Sequence, residues 1–164
     1  MRKAILFGLI LGVMVLGTAM ESRAQGAPVL QKVWVSPEVN RGDLLKIYIK
    51  ASDPEGDMRW IMVAAGRGKG AIYGSVIRLR KEDRKDLNGY VFWDTGQARS
   101  TGVTGIVEVT IEDWKGNESE TLSVPVKIVS KGAKSQSAPE EFKEKEIGPI
   151  MIDARTLGGG AAKQ

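Results

Sequence analysis

The chain has 164 residues, with 24 Lys and Arg against 20 Asp and Glu, and contains neither Cys nor His. The missing His excludes a Ser-His-Asp or Cys-His nucleophilic centre, and with no Cys either there is no structural zinc of the Cys/His type and no disulfide. Carboxylate, Lys or Tyr chemistry stays open, as does a hard cation held by oxygen atoms.

Met1-Arg2-Lys3 precedes an uncharged apolar run from Ala4 to Met20. A short basic start followed by such a run is the pattern of a secretory signal peptide. Small Ser22 and Ala24 provide the −3 and −1 positions of a cut that leaves Gln25 as the mature N-terminus. Residues 1–24 are therefore expected to be a cleaved signal, and the mature protein to be periplasmic or secreted. An uncleaved anchor needs about 20 apolar residues; this run is slightly shorter, and Gly8, Gly12 and Gly17 weaken it as a permanent helix, so no stable membrane insertion is expected after cleavage. No Cys adjoins the cut, which excludes a lipid-anchored form. Removing Arg2, Lys3, Glu21 and Arg23 leaves 21 basic and 19 acidic residues, a net +2. That near balance, with no Lys/Arg run interleaved with aromatics, argues against nucleic acid as a partner.

From Val29 to Val129 the hydrophobic pattern has period two. Val33 and Val35 alternate with Lys32 and Trp34; Leu45, Ile47 and Ile49 with Lys46, Tyr48 and Lys50. Trp60, Met62 and Ala64 share one face of the next run, and Ile72 to Leu79 and Tyr90 to Trp93 form two more. Val107, Val109 and Ile111 alternate with Glu108, Thr110 and Glu112, and Leu122 to Ile128 closes the series. Alternation of this kind buries one face of a strand and wets the other. Clusters rich in Gly, Pro, Asp and Asn separate the runs at Ser36–Asp43, Asp53–Asp57, Gly66–Gly70, Lys81–Gly89, Gly96–Gly105 and Asp113–Asn117, and read as turns. About seven short strands with such turns predict an all-β fold, a single antiparallel β-sandwich over residues 28–130. Pro125 removes a ladder donor, which places its strand at a sheet edge or a bulge.

Ala51-Ser52-Asp53-Pro54-Glu55-Gly56-Asp57, followed by a strand carrying Trp60, resembles the B-to-C passage of bacterial immunoglobulin-like and cadherin-like (fibronectin III-like) domains. Val107 to Ser119 resembles their F-to-G hairpin. The resemblance covers about residues 28–130 and implies the immunoglobulin-like fold, with Trp60 as its core tryptophan; it assigns no activity. The Cys pair of antibody domains is absent, as is a clear tyrosine-corner signal.

In that topology one end of the sandwich gathers Asp53, Glu55, Asp57, Glu82, Asp83, Asp86, Asp113 and Asn117. Calcium takes about six to eight oxygens, so these residues are a conceivable cation site, but Arg59, Arg80, Lys81, Arg84, Lys85 and Lys115 stand near them and neutralise much of the field, and Asp and Gly are expected there to shape turns. The opposite end carries Arg41, Arg67, Lys69 and Arg99, a set suited to an anionic polymer or to solvated loops alike. Among the tryptophans, Trp93 is expected inside, while Trp34 and Trp114 are the candidates for surface contact. Gly66–Gly70 lacks the Lys-Ser/Thr ending of a phosphate loop. No catalytic, cofactor-binding or metal-ligating residue is assigned, and no cofactor is implied.

Residues 131–164 differ in composition. The stretch to Glu146 is polar and of mixed charge, as in a flexible tail, and Ile147–Ile152 is a brief apolar island with a possible short strand at 149–153, able to dock by strand addition on its own domain or on a partner. The functional expectation is an exported, non-catalytic binding or structural module of the cell envelope, with a protein or envelope polymer as partner; the alternative is a small envelope enzyme using carboxylate or Lys chemistry.

Overall fold

The computed structural model describes residues 26–66, 73–98 and 101–152. The expected signal peptide, its cut at Gln25, and Arg67, Lys69 and Arg99 of the expected basic end lie outside them. The chain is all-β: β1 (Val29–Val35), β2 (Glu38–Asn40), β3 (Leu44–Ser52), β4 (Met58–Gly66), β5 (Tyr73–Arg78), β6 (Asp86–Asp94), β7 (Val103–Asp113), β8 (Leu122–Val129) and β9 (Glu146–Pro149). They form two sheets, β1-β3-β6-β9 and β2-β8-β7-β4-β5. This is the expected sandwich, with nine strands among the described residues rather than seven. The core ladders are antiparallel, and two edge additions, β2 on β8 and β9 on β6, are parallel. No helix among the described residues is long and apolar enough to cross a membrane.

The alternating runs supply the core. Leu45, Ile47 and Ile49 of β3, Val91 and Trp93 of β6, Ile61 and Val63 of β4, and Val107, Val109 and Ile111 of β7 are all buried in one cluster. Such side chains are worth about 1.5–3 kcal/mol each when taken out of water. Pro125 sits where β2 does not reach: β2 covers only Lys127–Val129, so β8 is locally an edge at the proline. β2 itself falls inside Ser36–Asp43, where Pro37, Asn40 and Gly42 read as turn.

Two expectations change. Trp60 is not a core residue: the ladder of β4 with β7 shifts register between Met58 and Trp60, and this bulge sends Met58 inward while Arg59 and Trp60 both end half-buried. The core is filled instead by Ile61, Val63 and Ala65, whose positions alternate with Trp60, Met62 and Ala64. The C-terminal strand is also displaced, lying at Glu146–Pro149 and not at 149–153.

The segment before β9 runs along the sandwich instead of leaving it. The amides of Ala133 and Gln136 donate to Asn40 Oδ1 and Ser36 Oγ, Asn88 bonds the backbone at both Glu141 and Lys143, and Lys32 and Lys46 pair with Glu141 and Glu144. Phe142 packs on Tyr48 at 5.8 Å between ring centroids, beside Trp34 and Tyr90. Tyr48, whose neighbours Ile47 and Ile49 point into the core, is only 4% exposed beneath this cover. Beyond it, Ile147, Ile150 and Ile152 join the core cluster, Ile150 N–H bonds Phe92 O, and Met151 N–H bonds Ser75 Oγ of β5. The island thus bridges the β6 edge of one sheet to the β5 edge of the other. The polar composition concealed this because its few apolar residues are spaced singly among charges.

Candidate functional site

The turns joining β3 to β4 and β7 to β8 are the same five-residue device. In Asp53-Pro54-Glu55-Gly56-Asp57, the first carboxylate accepts from the amides of Glu55 and Asp57. In Asp113-Trp114-Lys115-Gly116-Asn117, it accepts from the amides of Lys115 and Asn117. Gly56 and Gly116 adopt φ of +71° and +82°, a left-handed conformation that glycine enters without penalty. Asp53 and Asp113 are buried, and their oxygens serve these backbone donors.

The two turns touch: Trp114 N–H donates to Asp57 O at 3.1 Å, and Lys115 Nζ pairs with Glu55. The loop before β6 joins them through Met58 N–H to Arg84 O and Asp53 N–H to Lys85 O. The three loops expected to share one end therefore do. Their carboxylates are spent differently from a cation site: Asp83 pairs with Lys145 of the C-terminal segment, and among the described residues no group of three or more acidic side chains is placed to hold a metal ion.

The fifth residue of each turn decides its electrostatics. Burial pushes the Asp113 carboxyl up, but bonds from the Asn117 side chain and from the Asn117, Lys115 and Gly116 amides outweigh it and hold the group below its ordinary value. Asp57 stands in the Asn117 position yet is an acid: burial and contact with Asp53, then the charges of Asp53 and Asp113, push its carboxyl up. Its Oδ1 is buried without a hydrogen-bond partner.

Beside these turns lies a cationic aromatic cluster. The β4 bulge sets Arg59 Cζ 4.8 Å from the Trp60 ring centroid and 4.3 Å from that of Trp114. Arg78, opposite Trp60 in the β4–β5 ladder, places its Cζ 5.9 and 5.4 Å from the same two rings. Arg84 approaches Trp114 at 5.4 Å. Trp114 is 43% exposed, and Val76 on the neighbouring strand is 59% exposed. Each guanidinium–indole contact at such a site contributes about 0.5–1 kcal/mol.

Arg59 and Arg84, expected beside the acidic loops, stand at this end, but among the described residues no carboxylate forms an ion pair with them or with Arg78, and the Nε atoms of Arg59 and Arg84 are buried without hydrogen-bond partners. Since all three Cζ atoms lie within 5.4 Å of one centroid, no two are more than about 11 Å apart. Three like charges so placed repel by on the order of 1 kcal/mol per pair near a protein surface. The sequence marked Trp114 as a surface candidate from its place in a turn and set Arg59 and Arg84 at the same end; Arg78 and the contact of all three with the indole were not legible, because the bulge that turns Arg59 toward it leaves no mark in the alternation.

Of the other tryptophans, Trp93 is 3% exposed, as expected, and Trp34 lies half-buried against Tyr48. A hollow of about 360 Å³ lined by Lys50, Glu82, Asp83, Asp86, Lys143 and Lys145 collects the acid and amine groups that an enzyme of the alternative class would use. Asp83 and Lys145 there are joined in the ion pair that holds the C-terminal segment. Comparisons with protein-family models, with curated proteins and with solved structures found no match for this chain.

Proposed function

We propose that this chain is an exported, non-catalytic immunoglobulin-like module that recognises a partner in the cell envelope. The observation that carries the reading is the Arg59–Trp60–Arg78–Arg84–Trp114 cluster. Trp and Arg are the side chains that dominate binding energy at recognition surfaces, and here they converge on a solvent-facing patch without carboxylate partners to occupy them. The apolar run 4–20 with Ser22 and Ala24 supports export. A rigid sandwich that presents its loops and outer faces suits binding better than it suits a reaction needing an enclosed pocket.

Cell fractionation with intact-mass measurement tests the export arm: the mature species begins at or close to Gln25 in the envelope or secreted fraction. Full-length chain retained in the cytoplasm would sink it. Affinity capture from envelope extracts, comparing the wild type with Trp114→Ala, tests the recognition arm; identical captures would remove the cluster as the binding surface.

A further inference from the structure

We infer that the arginine–tryptophan cluster is a binding site for an acidic glycan, its arginines taking a carboxylate or phosphate on a sugar ring while the exposed part of Trp114 meets the ring's C–H face. The inference rests on the recognition reading above and names the ligand class for that same surface.

Three features select this chemistry. The first is charge: Arg59, Arg78 and Arg84 ring the Trp114 indole within 5.4 Å of its centroid and are ion-paired to no described carboxylate. Glu112 stands opposite Trp60 in the β4–β7 ladder, yet it pairs with none of them. A fold that holds three guanidiniums together without an internal counter-charge is relieved when an external anion arrives, and guanidinium forks bind oxyanions through two parallel bonds. The second feature is preorganisation. All three guanidinium carbons lie against the Trp114 ring and the Arg59 and Arg84 Nε atoms are buried, so little side-chain freedom remains to be lost on binding.

The third feature separates a glycan from an acidic peptide. Of its residues only Arg78 stands on an edge strand, β5; Arg59 and Trp60 are on β4, which is paired on both sides, and Trp114 is in the turn after β7. A peptide added as a strand would form its main-chain bonds with the β5 edge alone. A sugar needs only side-chain donors and an aromatic surface, both of which are present. The contact is electrostatic, so added salt weakens it.

The test uses the full mature protein and four defined probes: polygalacturonate, a phosphorylated dextran, neutral dextran and poly-glutamate. Expected is saturable binding to one or both anionic carbohydrate-type probes, none to dextran, and weakening with salt. Arg78→Gln and Trp114→Ala should each raise Kd at least about tenfold, the loss of one charge-assisted contact, whereas Lys134→Gln, an exposed basic change elsewhere, should leave it unaltered. Polygalacturonate against phosphorylated dextran identifies which oxyanion is read. Arg78 is exposed, and near-ultraviolet circular dichroism confirms that its variant is folded. Equal or tighter binding to poly-glutamate, binding to none of the probes, or binding indifferent to Arg78→Gln overturns the inference. If Trp114→Ala still abolishes capture of an envelope partner while no glycan binds, the recognition module stands and only the ligand class is wrong.

Discussion

The backbone oxygen of Lys145 lies where a β-carbon on Gly89 would have to be. An added Cβ would overlap that oxygen and press the Ile147 side chain at 3.2 Å, while Tyr90 N–H donates to the same oxygen at 2.8 Å. Gly89 is required by the C-terminal segment and not by any turn of its own strand. Gly89→Val should therefore displace the segment, at a cost of about 1–3 kcal/mol from overpacking. Hydrogen exchange is the direct measurement: the amides of Tyr90 and Ile150 should lose protection while those of Ile47 and Val109 keep theirs. Unchanged protection at Tyr90 would show that the segment is not held there.

Trp60→Ala should cost only about 1–2 kcal/mol, the worth of its guanidinium contacts, because the residue stands on the outer side of the β4 bulge. Trp93→Ala should cost about 3–5 kcal/mol by leaving a core cavity. Denaturant titration of both variants ranks them, and a larger loss at Trp60 than at Trp93 would contradict the register described.

Asp57→Asn should stabilise the protein at neutral pH. The folded chain holds the Asp57 proton more tightly than the unfolded chain does, so this group's contribution is fully present below the ordinary aspartate value of 3.8 and is lost as pH rises through its higher folded value. An amide avoids that loss and can make the bond that Asn117 Nδ2 makes to Asp113 Oδ2 at 2.7 Å. The advantage over wild type should be about 1 kcal/mol at pH 7, shrinking toward pH 4 and below. Equal stabilities at pH 7 would refute it.

Glu144 carries the opposite dependence. Hydrogen bonds from Lys46 and then Tyr48 hold its carboxyl below the ordinary 4.5, and Tyr48, beneath the segment, is pushed up to about 12 by burial and by its bond to Glu144. The contribution of Glu144 is present above 4.5 and lost as pH falls through its lower folded value. Glu144→Gln should weaken protection of residues 142–147 at pH 7 and make no difference at the acid end. A variant indistinguishable from wild type at pH 7 would show that this exposed pair contributes nothing measurable.

Asp113→Ala should cost about 2–4 kcal/mol, since it leaves the part-buried amides of Lys115 and Asn117 and the Asn117 side chain unmet. Calcium at millimolar concentration, compared with chelator, should shift the melting temperature by less than about 1 °C, because the Asp53 and Asp113 oxygens already serve the turns. A saturable rise of several degrees would assign these carboxylates to a metal instead.

The parts of this fold that the sequence reveals are those where one face is apolar and the other is not. Leu45, Ile47 and Ile49 against Lys46 and Lys50 fix β3, and Val107 to Glu112 fixes β7 in the same way. In β4 both faces are apolar, Trp60 and Met62 on one side and Ile61 and Val63 on the other, so alternation cannot say which side is buried. β2 is short and pairs through three residues inside a turn-like composition. β9 pairs in parallel with a strand more than fifty residues earlier, a long-range choice that no local pattern encodes. At the candidate site, Trp114 was visible, whereas its arginine neighbours come from three separate segments and meet only through the bulge and the loop before β6.

The late position of β9 has a consequence for synthesis. A chain that emerges from its N-terminus can assemble the strands from Val29 to Val129 before residues 146–152 are available. During that interval the open β6 edge and the hydrophobic flank later filled by Ile147, Ile150 and Ile152 are accessible to other chains. Molecules cut short before Glu146 keep that flank open permanently. They should aggregate where chains that include residues 146–152 do not, so the sandwich closes only once synthesis has passed Ile152.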